Sequence, residues 1–267
     1  TTTYNAGLDF NFFKNNLISG AFDIYYNKTS DLLARVPTAP GQYLSDSFIT
    51  NVGKTEGKGF ELDLNIKPIS TDNSTLEFYS NIAYNNVKIT DLGDVERLNA
   101  GGALPTGTNV NIQVNAVGYQ PYAFWVFQQL YDTNGNVIPG AFVDRSGDGQ
   151  ITNDDRYYVK RTPNWTFGFG FNYNYKNWDL SLLIDGRTGV QQYNQFDNFL
   201  AAFGIAGYTA NRNETRVFEG FLADGTANSQ EVWLGQGVGP DNRNYGAGFY
   251  RNSYRGVSEN FVQDALG

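Results

Sequence analysis

The densest chemistry in this chain lies between Asp144 and Asp155. Counted from Asp144, oxygen-bearing side chains fall at the first, third and fifth positions (Asp144, Ser146, Asp148), and Gly149 stands sixth. Gln150 offers a backbone carbonyl seventh, Ile151 is apolar at the eighth, and Asp155 closes the loop at the twelfth. Oxygen donors at this spacing converge on one hard cation, and a glycine at the sixth position permits the sharp turn. The pattern points to a structural Ca²⁺ loop of the EF-hand type, held by Asp144, Ser146, Asp148, Gln150 and Asp155. Aspartate replaces the usual glutamate at the end and no helical pattern flanks the loop, as in dockerin-type variants. A solvated acidic loop is the plainer alternative.

Other reactive groups are scarce. Without His or Cys the chain has no ordinary zinc site, no Ser-His-Asp triad and no thiol nucleophile. Paired carboxylates such as Asp154 and Asp155, or Asp9 and Asp23, have the residue types of a glycosidase. Strand acids facing water explain them more simply, so no enzymatic activity is expected. The aromatic run Tyr119, Tyr122, Phe124, Trp125, Phe127 and Tyr131 has two readings. It packs as a small core of its own, or it offers Tyr119, Tyr122, Trp125 and Phe127 to a sugar or peptide. Packing is favoured, and nothing selects a sugar over a peptide.

The elements that position these residues are strands. Trp165, Phe167, Phe169, Phe171, Tyr173 and Tyr175 occupy alternate positions of one segment, with Thr, Gly and Asn between them. Successive strand side chains point to opposite faces, so one face is wholly aromatic and the other hydrophilic. Five more segments alternate in the same way, giving strands near 3–13, 17–27, 58–67, 75–86, 164–175 and 178–187. The polar faces carry Asp9, Asp23, Glu61, Asp63, Glu77, Asp179 and Asp185. Tight turns alternate with long connections near 28–57, 88–163 and 188–267, an asymmetry of outer-membrane barrels with short periplasmic turns and long extracellular loops. Tyr4, Tyr26, Tyr84, Trp165, Tyr175 and Trp178 cluster at strand ends, where an interfacial aromatic girdle sits. A soluble β-sandwich or glycan-binding module also alternates, but it distributes its connections less one-sidedly.

Composition agrees. Aromatic residues make up 16% of the 267 residues, with 30 Gly, yet mean hydropathy is only −0.43. No run approaches the ~18 apolar residues of a membrane-spanning helix. A net charge of −8 and a pI near 4.6 disfavour a nucleic-acid partner. Thr1 lies at the mouth of a strand and Gly267 closes a polar stretch, so the chain is expected to be a piece of a larger protein. Six strands do not close a lipid-facing barrel, for which eight is the usual minimum.

Several segments resemble the C-terminal barrel region of SusC/RagA-like TonB-dependent transporters of the Bacteroidetes outer membrane. They are Thr1–Phe10, the hairpin Phe22–Leu33, the Gly-Lys-Gly stretch Asn51–Leu62, Val117–Phe127, and Arg161–Phe169 leading into the aromatic strand. Gly57 stands where the family usually has Asn, and Val126 replaces a Gly. Five segments in the family's order make the resemblance specific. It implies an all-β fold: about six strands of an antiparallel transmembrane barrel of about 22, with long extracellular loops. The plug that fills such barrels is absent from this chain. It further implies import of large nutrients, oligosaccharides or peptides, with a SusD-like surface lipoprotein. TonB would act through that plug, and the remaining barrel strands and outer-membrane lipid would complete the wall. The alternatives are a non-transporting surface protein (an adhesin or glycan-binding module) and a secretion or assembly pore.

Overall fold

The computed structural model describes residues 1–38, 41, 44–45, 47–101, 111–131, 137–147, 152–196, 207, 210, 215–217, 231–233, 243–244, 248–250 and 261–262. The long strands are β1 (Thr2–Phe12), β2 (Ile18–Pro37), β3 (Ser47–Thr71) and β4 (Ser74–Asp91). Shorter ones follow: β5 (Arg97–Ala100), β6 (Gln113–Ala116), β7 (Ala123–Phe127), β8 (Gln129–Tyr131), β9 (Val137–Val143) and β10 (Arg156–Val159). Two more long strands, β11 (Trp165–Tyr175) and β12 (Trp178–Thr188), come next. Among the described residues no helix is long and apolar enough to cross a membrane.

The chain divides into two units. The first comprises Thr1–Leu98, Asn115–Pro121 and Lys160–Val190. It is built on one six-stranded antiparallel sheet in the order β1-β2-β3-β4-β11-β12. Alternation survives pairing because the register stays in phase across all six strands between the bulges. One row runs Leu8, Phe22, Leu62, Ile82, Phe167, Gly186, and the next but one runs Phe12, Ile18, Ile66, Phe78, Phe171, Leu182. Between apolar rows lie polar ones, such as Asp9, Ala21, Asp63, Asn81, Gly168, Asp185. Since the side-chain period is two, this phase puts every apolar row on one face and every polar row on the other.

Glycines receive rings from the neighbouring strand. On the apolar face Phe10 lies over Gly20 and Phe167 over Gly186; on the polar face Tyr25 lies over Gly59 and Tyr79 over Gly170. The phenol of Tyr79 also donates to the Leu182 carbonyl at 3.4 Å. A ring laid across a bare backbone covers hydrogen bonds that glycine leaves open and pins the register.

The short turns differ in chemistry. Asn16 takes a left-handed φ of 55° in the first, whereas in the last it is Lys176, not the adjacent Asn177, that does so at 54°. The β3–β4 turn is tighter than the gap at 68–74 between the strands expected near 58–67 and 75–86. Strand β3 passes Pro68 at a bulge between Ile66 and Ile69, where the missing N–H costs no ladder bond, and turns only at Asp72 and Asn73.

Two expected loops need correction. Much of 28–57 is not loop but a ribbon, because β2 and β3 stay paired from Lys28–Glu56 out to Pro37–Ser47. Register shifts between Thr29 and Leu33, with Asp31 at φ 58°, break the period of two, so the alternation that marks a strand is lost there. The stretch 88–163 likewise begins as strand, with β4 continuing to Asp91, and holds β5 to β10. A small cluster of Ile89, Leu92 and Leu98, with Ala34 and Val95 against it, packs beside this end of β4.

The second unit comprises Asn99–Val114, Tyr122–Val159 and Gln191–Gly267. Its β7 reads Ala-Phe-Trp-Val-Phe and is buried at all five positions. It pairs with β10 on one side and with Gln113 and Val114 on the other. A strand covered on both faces shows no alternation. Ile112, Phe124, Val126, Phe127, Phe142 and Tyr193 form its core, with Tyr157 and Val159 packed against them.

Candidate functional site

Three regions of the chain are candidates for function. The first is the pair of faces of the six-stranded sheet. Its apolar face is uncovered: Tyr4, Leu8, Phe22, Ile24, Phe167, Phe169, Trp178 and Leu182 are all exposed. Rings gather near the ends of the paired strands. Tyr84 and Trp165 lie 4.9 Å apart with Phe60 at 5.7 Å from Trp165, and Tyr4 stacks on Tyr26 at 6.4 Å. From Trp165 to Tyr175 a strand rises about 33 Å, which a barrel tilt of about 40–45° reduces to about 25 Å, the height of a lipid-facing band.

The opposite face is polar and largely open. Asp23 faces Glu61 across the β2–β3 pair, and Asp9 and Asp63 flank Ala21. Asn65 Nδ2 donates to Glu77 Oε1 at 2.6 Å, and Asn174 donates to Asp179. Carboxylates bonded to amides and spread along a wall suit a wetted surface.

Beyond the ringed level the β3–β4 ladder carries an ion pair, Lys54 with Asp91. The bond from Lys54, together with the Gly93 N–H at 2.8 Å, holds the Asp91 carboxyl below its usual range, and the bond to Asp91 holds the Lys54 ammonium above its own. Lys28 and Glu56 form a looser pair at 3.8 Å.

The second region is the Asp144–Asp155 loop. Asp155 is fully buried and closes it. Its Oδ1 accepts from the backbone N–H of Arg145 and of Ser146, each at 2.9 Å, and its Oδ2 accepts from Thr152 N–H at 2.6 Å. Thr152 in turn caps the turn Asn153–Asp155, so the two side chains form a reciprocal capping box. Asp144 Oδ1 accepts from Gly147 N–H at 2.7 Å and Ser146 Oγ at 3.2 Å. The structure thus brings Asp155 back to the start of the loop beside Ser146. Asp148 and Gln150 lie outside the described residues. Among those described, no three carboxylates gather as a ready metal-binding group. Arg145 braces the loop by lying 5.1 Å over Tyr157 and donating to Gln128 Oε1 at 2.8 Å.

The third is the aromatic run, which divides. Tyr119 and Tyr122 are exposed, and Tyr122 has a φ of 59°. Trp125 and Phe127 are buried, as the favoured packing reading expects and against the alternative of ligand contacts: both rings pack under Arg156, whose guanidinium lies 4.4 Å and 5.0 Å from them. Their places in the doubly covered β7 leave no face for a ligand.

Sequence reasoning missed Asn164. It is buried, its Nδ2 donates to the Asn85 carbonyl at 2.8 Å, and its Oδ1 accepts from Lys160 Nζ at 2.6 Å. The Pro163-Asn164 pair before an alternating strand is the signal that points to it.

Comparison with known proteins agrees with this architecture. Residues 1–126 match the family described as TonB dependent receptor-like, beta-barrel. TonB-dependent receptor SusC of Bacteroides thetaiotaomicron is 39% identical over 202 residues, 74% of this chain and 20% of that protein. TonB-dependent receptor P26 of Formosa agariphila is 32% identical over 215 residues, 73% of this chain and 21% of the relative. The chain therefore spans about a fifth of the length of these relatives. In fold it is similar to the RagAB peptide transporter, with a TM-score of 0.56 at 22% identity over 72% of this chain and 22% of that one.

Proposed function

The chain belongs to the SusC/RagA-like TonB-dependent receptors, and from that premise we propose that the whole protein imports large nutrients across the outer membrane. The cargo is oligosaccharide or peptide, taken up with a SusD-like surface lipoprotein and driven by TonB. This segment is part of the wall, and the remaining wall and the plug belong to other parts of the same protein. Its role is transport, with no catalytic step.

One observation carries this reading. Six strands whose rows pair in phase between the bulges put aromatic and aliphatic rows on one uncovered face and carboxylates on the other. Water makes so large an apolar surface costly, whereas acyl chains cover it without penalty and the acidic face keeps its hydration in a lumen. The test uses the full-length protein. In vesicles of acyl-brominated lipid, Trp165 and Trp178 emission is expected to be quenched. Deletion of the gene is expected to abolish growth on the cargo as sole carbon source. A full-length protein that stays monomeric in water without detergent, or growth that survives deletion on every oligosaccharide and peptide pool, overturns the reading.

For the loop 144–155 we propose a structural Ca²⁺. Support comes from the oxygen-only donor set and from Asp155, which returns the twelfth residue to the second and third. Asp144, Ser146, Asp148, Gln150 and Asp155 would hold the ion, whose contribution there is to fix the loop. Calorimetry on the full-length protein is expected to detect Ca²⁺ uptake; no heat at millimolar metal overturns it.

A further inference from the structure

The turn between β1 and β2 holds a residue in a conformation its type avoids. Phe13 has φ 69° and ψ 170°, an extended mirror-image region that glycine enters freely and a residue with a Cβ does not. Among the described residues, the other non-glycine residues of positive φ, Asn16, Asp31, Tyr122 and Lys176, cluster at 54–59°. Phe13 is 72% exposed, so packing within the chain does not compensate the strain.

Its surroundings say what does. Phe12, next to it, is exposed on the apolar face and stacks on Phe10 at 5.4 Å. The other two short turns of the sheet are flanked in the same way, by exposed Ile69 near the β3–β4 turn and by Trp178, 79% exposed, after the β11–β12 turn. All three turns lie at the same end of the sheet, since the strands alternate in direction. Each therefore offers one large apolar side chain where the uncovered apolar face stops.

We propose that Phe13 is a membrane-interface anchor. Its ring enters the headgroup–acyl boundary of the leaflet on the short-turn side, and the lipid there holds a turn conformation that the hairpin alone disfavours. The occupant is lipid because the surface runs on from the lipid-facing rows through Phe12, and rings at such a boundary bury apolar area without leaving the interface. The inference rests on the lipid-facing reading of the sheet.

The experiment compares variants of the full-length protein refolded into vesicles. Phe13→Ala keeps the Cβ and the strain but loses the ring, so it is expected to lower the folding equilibrium constant about tenfold. Phe13→Gly removes the strain as well and is expected to recover part of that loss. Phe13→Trp, read as emission in excess of the parent, is expected to be quenched by lipid brominated near the headgroup end of the chain. An alanine variant within twofold of the parent overturns the proposal. So does excess emission from Phe13→Trp that stays unquenched while Trp178 is quenched. Were Trp178 also unquenched, the lipid-facing reading itself would fall.

Discussion

Asn164 grips the backbone of Asn85 through both of that residue's polar groups. The Asn85 N–H donates to the Asn164 carbonyl at 2.8 Å, and Asn164 Nδ2 donates to the Asn85 carbonyl at 2.8 Å. This clamp stands where the chain returns from the excursion after β4 to start β11, one residue before Trp165 meets Tyr84. It sets which residue of β11 pairs with which of β4. Asn164→Ala is expected to destabilise the folded barrel by about 1–3 kcal/mol, since it orphans the Asn85 carbonyl and removes the Lys160 partner. A shift in the urea midpoint with an unchanged slope would confirm it.

Gly170 cannot accept a side chain. A Cβ there would run into the Tyr79 ring and the Leu182 carbonyl. Gly170→Ala is expected to cost about 1–3 kcal/mol by overpacking. Adding Tyr79→Ala should recover part of the loss. If the double variant is as unstable as the sum of the two single ones, the ring is not the obstacle, and a thermal-midpoint cycle decides.

Asp155 is the keystone of its loop whether or not metal binds. Replacing it with Ala leaves three backbone donors without an acceptor, for an expected loss of roughly 2–4 kcal/mol of local stability. Hydrogen exchange at the amides of Arg145, Ser146 and Thr152 is the direct readout. Protection there that survives the substitution would show that other groups hold the loop.

The Lys54–Asp91 pair sets a pH window for the far end of the β3–β4 ladder. Asp91 titrates below its usual 3.8, chiefly because it accepts from Lys54, so its contribution is present above that value and lost as pH falls further. Lys54 titrates above its usual 10.5, so its contribution is present below that value and lost as pH rises further. Protection factors of the Thr55 and Ile89 amides, taken relative to the intrinsic exchange rate at each pH, are expected to stay flat between these limits and to fall outside them. Both groups are exposed, so high salt is expected to weaken the effect.

How much of this was legible depended on whether a strand had one wet face. In β11 the odd positions are all rings, and the register observed follows from them. In β2 beyond Thr29 the bulges shift the parity, and a paired ribbon reads as an irregular Pro-containing loop. In β7 both faces are covered, so Trp125 and Phe127 read equally as core or contact; only their neighbours decide. The loop acids were found by spacing, but the partners of Asp155 are backbone amides, which leave no mark on residue identity.

The in-phase register also governs how such a wall tolerates insertions and deletions. Each short turn resets the count, and each excursion on the other side is free of it. A residue gained in the excursion between β4 and β11 leaves the order of inward and outward side chains unchanged. The same residue gained inside β11 would turn its oily positions inward and its wet ones outward up to the Lys176 turn. Relatives of this chain are therefore expected to vary in length almost entirely on one side of the sheet, and to change strands by whole hairpins.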